Sequence, residues 1–325
     1  MKPGSAAFRK AWMLLFAAFM TASATAQTLP NKPIRLIAST PPGGTIDLVA
    51  RLLAQNMAAS LGQPVIVENK AGAAGNIAAE FVAKAPADGT TLLVTASSHA
   101  TNINLYAKLG YDPVKDFAPV SLLTTNSFVL AVPASSPANN AAEFFALAKS
   151  KKGALNYGSS GSGQGNHLGM ELLKSMGGFD AAHVPYSGTG PVTIALLAGQ
   201  VDVALLTPPA VAPYLKGGRL KVLATTGKTR SPLIPNVPTL AESGLPGYEL
   251  LGWIGLLAPA GTPKGTVDTL QQAARKALNQ PNALNQLKSV SADVVASTPQ
   301  EFATFLGTEI STWAQVIKKS GARAE

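Results

Sequence analysis

Short aliphatic runs alternate along this chain with segments of helical period, and glycine, proline or serine stands at most of the junctions. This alternation constrains the fold more than any other feature, because parallel strands cannot be joined by tight turns and need crossover helices. "IRLIAS" (34–39) leads to a helix expected near 46–60, "PVIVEN" (64–69) to one near 76–84, and "TLLVTAS" (91–97) closes a first series. In the first helix Leu48, Val49, Leu52, Leu53 and Met57 share one face. Runs so rich in Val, Ile and Leu read as parallel strands covered on both sides. A second series begins near 128 with "FVLAVPA" (128–134), a helix over 141–150, "LNYGSS" (155–160), a helix over 164–176 and "AHVPYS" (182–187). "PVTIALLAGQ" reads as a helix, "VDVALLT" (201–207) and "LKVLATT" (220–226) as strands, and "YELLGWIGLLAP" (248–259) as a long strand. Helices over 266–279 and about 300–319 follow, the last opened by a capping box of Thr298 with Glu301. No Pro-, Ser- or charge-rich linker separates the two series, which predicts two α/β lobes joined by ordered crossing strands.

The N-terminus stands outside this pattern. Lys2, Arg9 and Lys10 precede the apolar run "AWMLLFAAFM", and Ala24 and Ala26 have A-x-A spacing. That is the form of an export signal cleaved after Ala26, and the run is too short for a permanent membrane anchor. The chain contains no cysteine, which excludes disulfides, thiolate sites and a lipid-modified cysteine. Its stability therefore rests on apolar cores, for which 46% apolar and 13% charged residues over 325 positions are ample. A soluble periplasmic protein is expected, not itself membrane-embedded. Without the three basic residues of the signal, 23 Lys and Arg face 17 Asp and Glu, and the formal charge drops from +9 to +6. The clusters "KSKK" (149–152) and "IKKSGAR" (317–323) fall at helix ends, where cations suit the macrodipole. A basic stripe interleaved with aromatics is missing, so no nucleic-acid partner is expected.

Catalytic signatures are scarce. "TTGKT" (225–229) lacks the glycine of a phosphate loop, Val222 standing in its place. "GSSGSGQG" (158–165) fits neither G-x-G-x-x-G, since Asn166 replaces the third glycine, nor G-x-S-x-G. His99, His167 and His183 are far apart, and with no cysteine and no H-E-x-x-H a metal site is not expected, nor any cofactor. His183, in an apolar strand, reads as a core or edge residue. A dispersed triad built on Ser159 or Ser160 with His167 stays open, because triads are defined by geometry.

One arrangement recurs once in each series: a strand, a Gly/Ser-rich loop, and a helix N-terminus, in "IASTPPGGTIDL" and in "NYGSSGSGQGNHLGMELL". Helix N-termini carry unpaired N–H groups and partial positive charge, and glycine lets an anion approach them. Gly43, Gly44 and Thr45 offer donors in the first loop, with Thr45 as a cap, and Ser159, Ser160, Gly161 and Gly163 in the second. One loop in each lobe predicts an anion clamp across a cleft. Asp47 and Arg51 are placed for an i,i+4 pair and read as structural.

The order and spacing of these segments resemble the tripartite tricarboxylate transporter substrate-binding proteins, the Bug family of periplasmic solute receptors. The resemblance rests on "KPIRLIASTPPGGTIDLVAR", "LGQPVIVENKAGAAGNIAAEFVAKAPADGTTLL", "LYAKLGYDPVKDFAPVSLL", "LNYGSSGSGQGNHLGMELL", "HVPYSGTGPVTIALLAGQVD", "RSPLIPNVPTLAESGLPGYE" and "WIGLLAPAGTP", and so covers nearly all of the mature chain. It implies a type II periplasmic-binding-protein fold: signal 1–26, a discontinuous first lobe over 27–130 and 251–325, and a second over 131–250. It implies a non-enzymatic, monomeric receptor that captures a small organic anion, a di- or tricarboxylate or an aromatic acid, for a two-subunit membrane permease. One carboxylate would sit between Thr40–Thr45, including Pro42, and Ser159–Gly163. The pocket loop "TASSHATN" (95–102) adds Ser97, Ser98 and His99; His167, Tyr186, Ser187 and Thr207 complete the candidates.

The sequence departs from that family at Thr40, where an aromatic residue is often found, and at Leu206, where many members carry an aspartate for a ligand ammonium. An acid without an amine is therefore expected, chosen at the far end of the cleft near Leu206 and Thr207. A sensing partner of a signalling receptor and an exported serine hydrolase stand as the alternative readings.

Overall fold

The computed structural model describes residues 29–321 except Pro232, together with Arg323, so the expected export signal lies outside the described residues. The first sheet opens with β1 (Ile34–Ala38), β2 (Val65–Asn69) and β3 (Thr91–Ala96), parallel and in the spatial order β2-β1-β3. Helices α1 (Thr45–Leu61) and α2 (Asn76–Ala83) join them, and α3 (Ser98–Leu105) leads to β4 (Phe117–Ser127). Between Ser127 and Val129 the chain passes to a second sheet.

That sheet holds β5 (Val129–Pro133), β6 (Asn156–Ser159), β7 (Ala182–Pro185), β8 (Val203–Leu206) and β9 (Leu220–Thr225) in the order β7-β6-β8-β5-β9. Here β6, β7 and β8 are parallel, and α4 (Ala141–Ser150), α5 (Gly165–Gly177), α6 (Thr189–Leu197) and α7 (Pro208–Leu215) cover the faces. The chain returns through β10 (Leu251–Pro259), which inserts antiparallel between β3 and β4. Then α8 (Lys264–Leu278), α9 (Pro281–Ser289), the two-residue β11 (Asp293–Val294) and α10 (Pro299–Ser320) complete the first lobe.

Each sheet is covered on both sides, as its continuous aliphatic strands require. In the first lobe α1, α8 and α9 cover one face through Val49, Leu52, Leu53, Met57, Leu270 and Leu287. The other face takes α2, α3 and the start of α10. Burying one such aliphatic side chain contributes about 1.5–3 kcal/mol, so the apolar stripe of α1 outweighs its lack of a side-chain cap. Gly62, left-handed at φ 67°, ends that helix.

Helix α10 belongs to both lobes. The predicted capping box of Thr298 and Glu301 opens it. Phe302 and Leu306 pack with Trp253 in the first lobe, whereas Trp313, Val316 and Ile317 join the core of the second. Midway, a half-buried Glu309 accepts through Oε2 from Trp253 Nε1 at 2.8 Å and Trp313 Nε1 at 3.1 Å. Burial pushes that carboxyl up from its ordinary value. No helix among the described residues is long and apolar enough to cross a membrane.

Candidate functional site

In each lobe the parallel strands reverse their spatial progression at one place. The first lobe has β2-β1-β3, so the loops after β1 and β3 diverge; the second has β7-β6-β8, so the loops after β6 and β8 diverge. Crevices at such switch points, outside the carboxyl ends of the strands, are where open α/β sheets bind ligands. Four helix N-termini stand there: α1 after Gly44, α3 after Ser97, α5 after Gln164 and α7 after Thr207. Each presents first-turn N–H groups and roughly half a positive charge.

The first loop, Pro41–Thr45, is exposed. Gly44, not Thr45, is the N-cap, and no side chain caps the helix, so the expected role of Thr45 is corrected. The loop is instead braced from within α1. Buried Asp47 accepts from Gly43 N at 3.0 Å and Arg51 Nε at 2.9 Å through Oδ2, and from Asn69 Nδ2 at 2.9 Å through Oδ1. Asn69 Nδ2 also donates to Thr40 O at 3.0 Å. The Arg51 bond, with those from Gly43 and Asn69, holds the Asp47 carboxyl down at about 2. Arg51 cancels its charge, which keeps the helix end hospitable to an anion. The N–H of Gly43 is thereby engaged, leaving the first turn from Gly44 onward as the donor set.

The second loop is half-buried and more densely braced. Gly163 N donates to His167 Nδ1 at 2.9 Å, and Gly161 N to Ser159 Oγ at 3.2 Å. Asn166 Oδ1 accepts from Ser160 Oγ at 2.9 Å and Ser160 N at 3.3 Å, while Asn166 Nδ2 donates to Leu205 O on β8. Several loop amides expected to meet a ligand are thus occupied, and the donors fall to the first turn of α5. Ser159 is fully buried and pairs with His183 at 2.6 Å, whereas His167 serves the backbone of Gly163. A nucleophile built on Ser159 with His167 is not formed, and an inaccessible hydroxyl offers no attack on a substrate.

The lobes meet beside this loop. Leu105, from the end of α3, packs into the second core, and a Cβ added at Gly163 would lie 2.8 Å from its Cδ1. Ser97 Oγ would lie 3.7 Å from a Cβ at Gly165, the first residue of α5. Ser97 therefore borders the second loop across the cleft, and Ser98 is the first residue of α3. Tyr186 packs near Gly158 and Gly161, Ser187 is exposed behind it, and Thr207 starts α7.

Two expectations are corrected here. His99 is 2% exposed, its Nε2 lies 3.0 Å from Pro113 O, and its ring packs on Tyr111 and Phe117. It supports α3 from below, and the expected loop over 95–102 is the end of β3 and the start of α3. Leu206 is 1% exposed in the core beneath α6 and α7, so the far end of the cleft begins at Thr207.

Sequence reasoning missed Asn69 and Asn166; His183, read as a core or edge residue, stands on the edge strand β7, and its bond to Ser159 was not foreseen. Sequence reasoning also missed Gly72–Gly75 after β2, where Ala73 (φ 46°) and Ala74 (φ 52°) are both left-handed. Consecutive alanines in that region are strained. Asn102 Nδ2 holds the loop through Ala74 O at 3.1 Å and Asn76 Oδ1 at 2.6 Å. A cavity of about 450 Å³ between α5 and α10 is lined by Glu171, Lys174 and Asp180, which are paired with one another and lie away from the loops. No group of three or more His, Asp or Glu side chains among the described residues could hold a metal ion.

Comparison with known proteins agrees with this geometry. The sequence profile of the tripartite tricarboxylate transporter family receptor matches residues 49–322. A Cupriavidus necator protein described as a UPF0065 protein in the gbd 5' region is 38% identical over 304 residues, covering 94% of this chain and 92% of the relative. Among solved structures, Rpa4515 of R. palustris with adipate superposes at TM-score 0.77, with 35% identity, 90% of this chain and 99% of that one covered. MatC of Rhodopseudomonas palustris with bound malate gives TM-score 0.74 and 37% identity, covering 89% of this chain and 99% of that one. These likenesses and the two-lobed topology identify the type II periplasmic-binding-protein fold. The chain belongs to the tripartite tricarboxylate transporter family of receptors, which are solute-binding proteins and not enzymes.

Proposed function

We propose that the protein captures a small organic carboxylate between its two lobes in the periplasm, after loss of residues 1–26, and hands it to a two-subunit tripartite tricarboxylate-type permease. One observation carries the reading: helix N-termini of both lobes converge at facing switch points, with the nearby Asp47–Arg51 charges cancelled. Adipate and malate in two neighbours of the same family support it. One carboxylate would lie between the Thr40–Thr45 turn and the Ser160–Gly163 turn with the first turn of α5. Thr207, Tyr186 and Ser187 would face the remainder of the acid. Contacts from both lobes favour the closed form, and a differential of about 5.5 kcal/mol carries a mostly open population to a mostly closed one.

A thermal-shift panel of dicarboxylates, tricarboxylates, aromatic acids, amino acids, sugars and cations tests this. A carboxylate at a hundred times its Kd should stabilise the protein by about 2.7 kcal/mol. Gly44→Val, on a backbone at φ −85° with only Thr40 Oγ1, at 3.9 Å, near an added Cβ, should abolish that shift while the variant remains folded. A shift produced by a sugar or cation and by no acid would overturn the reading.

A further inference from the structure

We propose that His167 and His183 are positioning residues for the second loop: a stacked imidazole pair that grips both ends of the loop, the grip on Gly163 lasting only while His167 is neutral. The rings lie 3.9 Å apart and 13° from parallel, and His183 stacks on Tyr157 at 4.9 Å. The column reaches the loop at two points, since His167 Nδ1 accepts from Gly163 N at 2.9 Å and His183 Nε2 bonds Ser159 Oγ at 2.6 Å. The fold creates the column, because β6 and β7 pair in register with Tyr157 opposite His183. His167, in the first turn of α5, slides over that pair.

The acceptor role of His167 fixes its state. A proton on Nδ1 would aim an N–H at the N–H of Gly163, and the bond would break. The surroundings oppose such a proton. From α5, Glu171 favours a proton on His167, but its carboxylate already accepts from the Tyr157 hydroxyl at 2.5 Å and from Lys174 Nζ at 2.9 Å, and burial outweighs its pull. Lys174 also pairs with Asp180 in the α5–β7 turn and stands 5.5 Å from the Tyr157 ring centre. From the first lobe, Leu105 of α3 closes over Gly163 and shields the site. A charge on one ring would also repel a charge on the other across 3.9 Å. Burial lowers both imidazole pKa values, and for His183 burial, then His167 and Lys174, bring it to about 4. At neutral pH the pair is neutral and the loop is held; in acid a proton on His167 releases Gly163.

The consequence for carboxylate affinity rests on the receptor reading, but the positioning role does not. In ligand-free ¹⁵N-labelled protein titrated from pH 8 to 4, the Gly163 amide should shift with the midpoint of the His167 ring, and in His167→Gln it should stay flat. The Gln Oε1 still accepts from Gly163 but takes up no proton in this range. His167→Ala should lose the Gly163 position at every pH, and Gln should restore it. With adipate as probe, wild-type affinity should fall between pH 7 and pH 4 by about tenfold more than that of His167→Gln, a ratio in which the ionisation of the acid itself cancels. A Gly163 amide indifferent to the titration of His167 would overturn the proposal. Co-titration without adipate binding at any pH would uphold the positioning pair and count against the carboxylate reading alone.

Discussion

The two loops are alike in plan and opposite in construction. In each, a glycine amide is held by a side chain four residues on, in the first turn of the following helix: Gly43 by Asp47 and Gly163 by His167. The first loop stands in solvent, and its brace is a carboxylate neutralised by Arg51. The second lies under Leu105 and over a column of aromatic rings. A loop exposed in this way can meet a ligand before the lobes close, whereas a buried one completes its contacts only against the other lobe. The pair therefore reads as a fixed reception surface and a packed counter-surface.

The largest expected difference is in packing. Gly163→Val places a Cβ 2.8 Å from Leu105 on a backbone at φ +76°, and should lower unfolding stability by about 3 kcal/mol or more. Gly44→Val meets only Thr40 Oγ1 at 3.9 Å, and should cost about 1 kcal/mol of cap preference. Urea denaturation of both variants measures the gap, and equal losses would erase the contrast.

A smaller difference lies in acid response. The folded pKa of His183, about 4, is below its ordinary 6.5, so the unfolded chain takes up the proton first. Stability present above about pH 6.5 is therefore lost as pH falls toward 4. Asp47, at about 2 against an ordinary 3.8, holds its contribution until pH falls below about 4. Buried His99, also near 4, shares the first window, so His183→Gln isolates the share of the second loop. Its stability should change less between pH 7 and 4.5 than that of the wild type. The smallest effect belongs to Arg51→Ala, which removes an exposed partner while Gly43 and Asn69 still hold Asp47. Its melting temperature should stay close to wild type, and its ligand response should weaken modestly because the Asp47 charge beside the helix end is no longer cancelled; a response lost as fully as in Gly44→Val would mean that Arg51 itself faces the anion.

Much of the fold was legible, because buried parallel strands are written as continuous aliphatic runs and their helices as periodic stripes. The second series shows this best, with α4 falling on the expected 141–150. The elements that escaped lean on partners distant in sequence. Strand β4 carries Pro119 and ends in Thr124, Thr125, Asn126 and Ser127, and its pairing with β10 supplies what its composition does not. Helix α3, "SHATNINL", has weak propensity and stands because Asn102 and Leu105 are anchored elsewhere. At the site, Asp47–Arg51 could be read from i,i+4 spacing. The bond of Ser159 with His183, 24 residues away, could not, since only the register of β6 and β7 brings them together.

The path of the chain also sets the order in which it can become a protein. The first sheet lacks an interior strand until β10 arrives, after the whole second lobe has been made. The second core stays uncovered until Trp313, Val316 and Ile317 arrive on the last helix. A nascent chain therefore carries two unfinished cores until β10 and α10 are made, and contacts of such long separation form slowly. Completion of both cores thus waits on one helix, Pro299–Ser320.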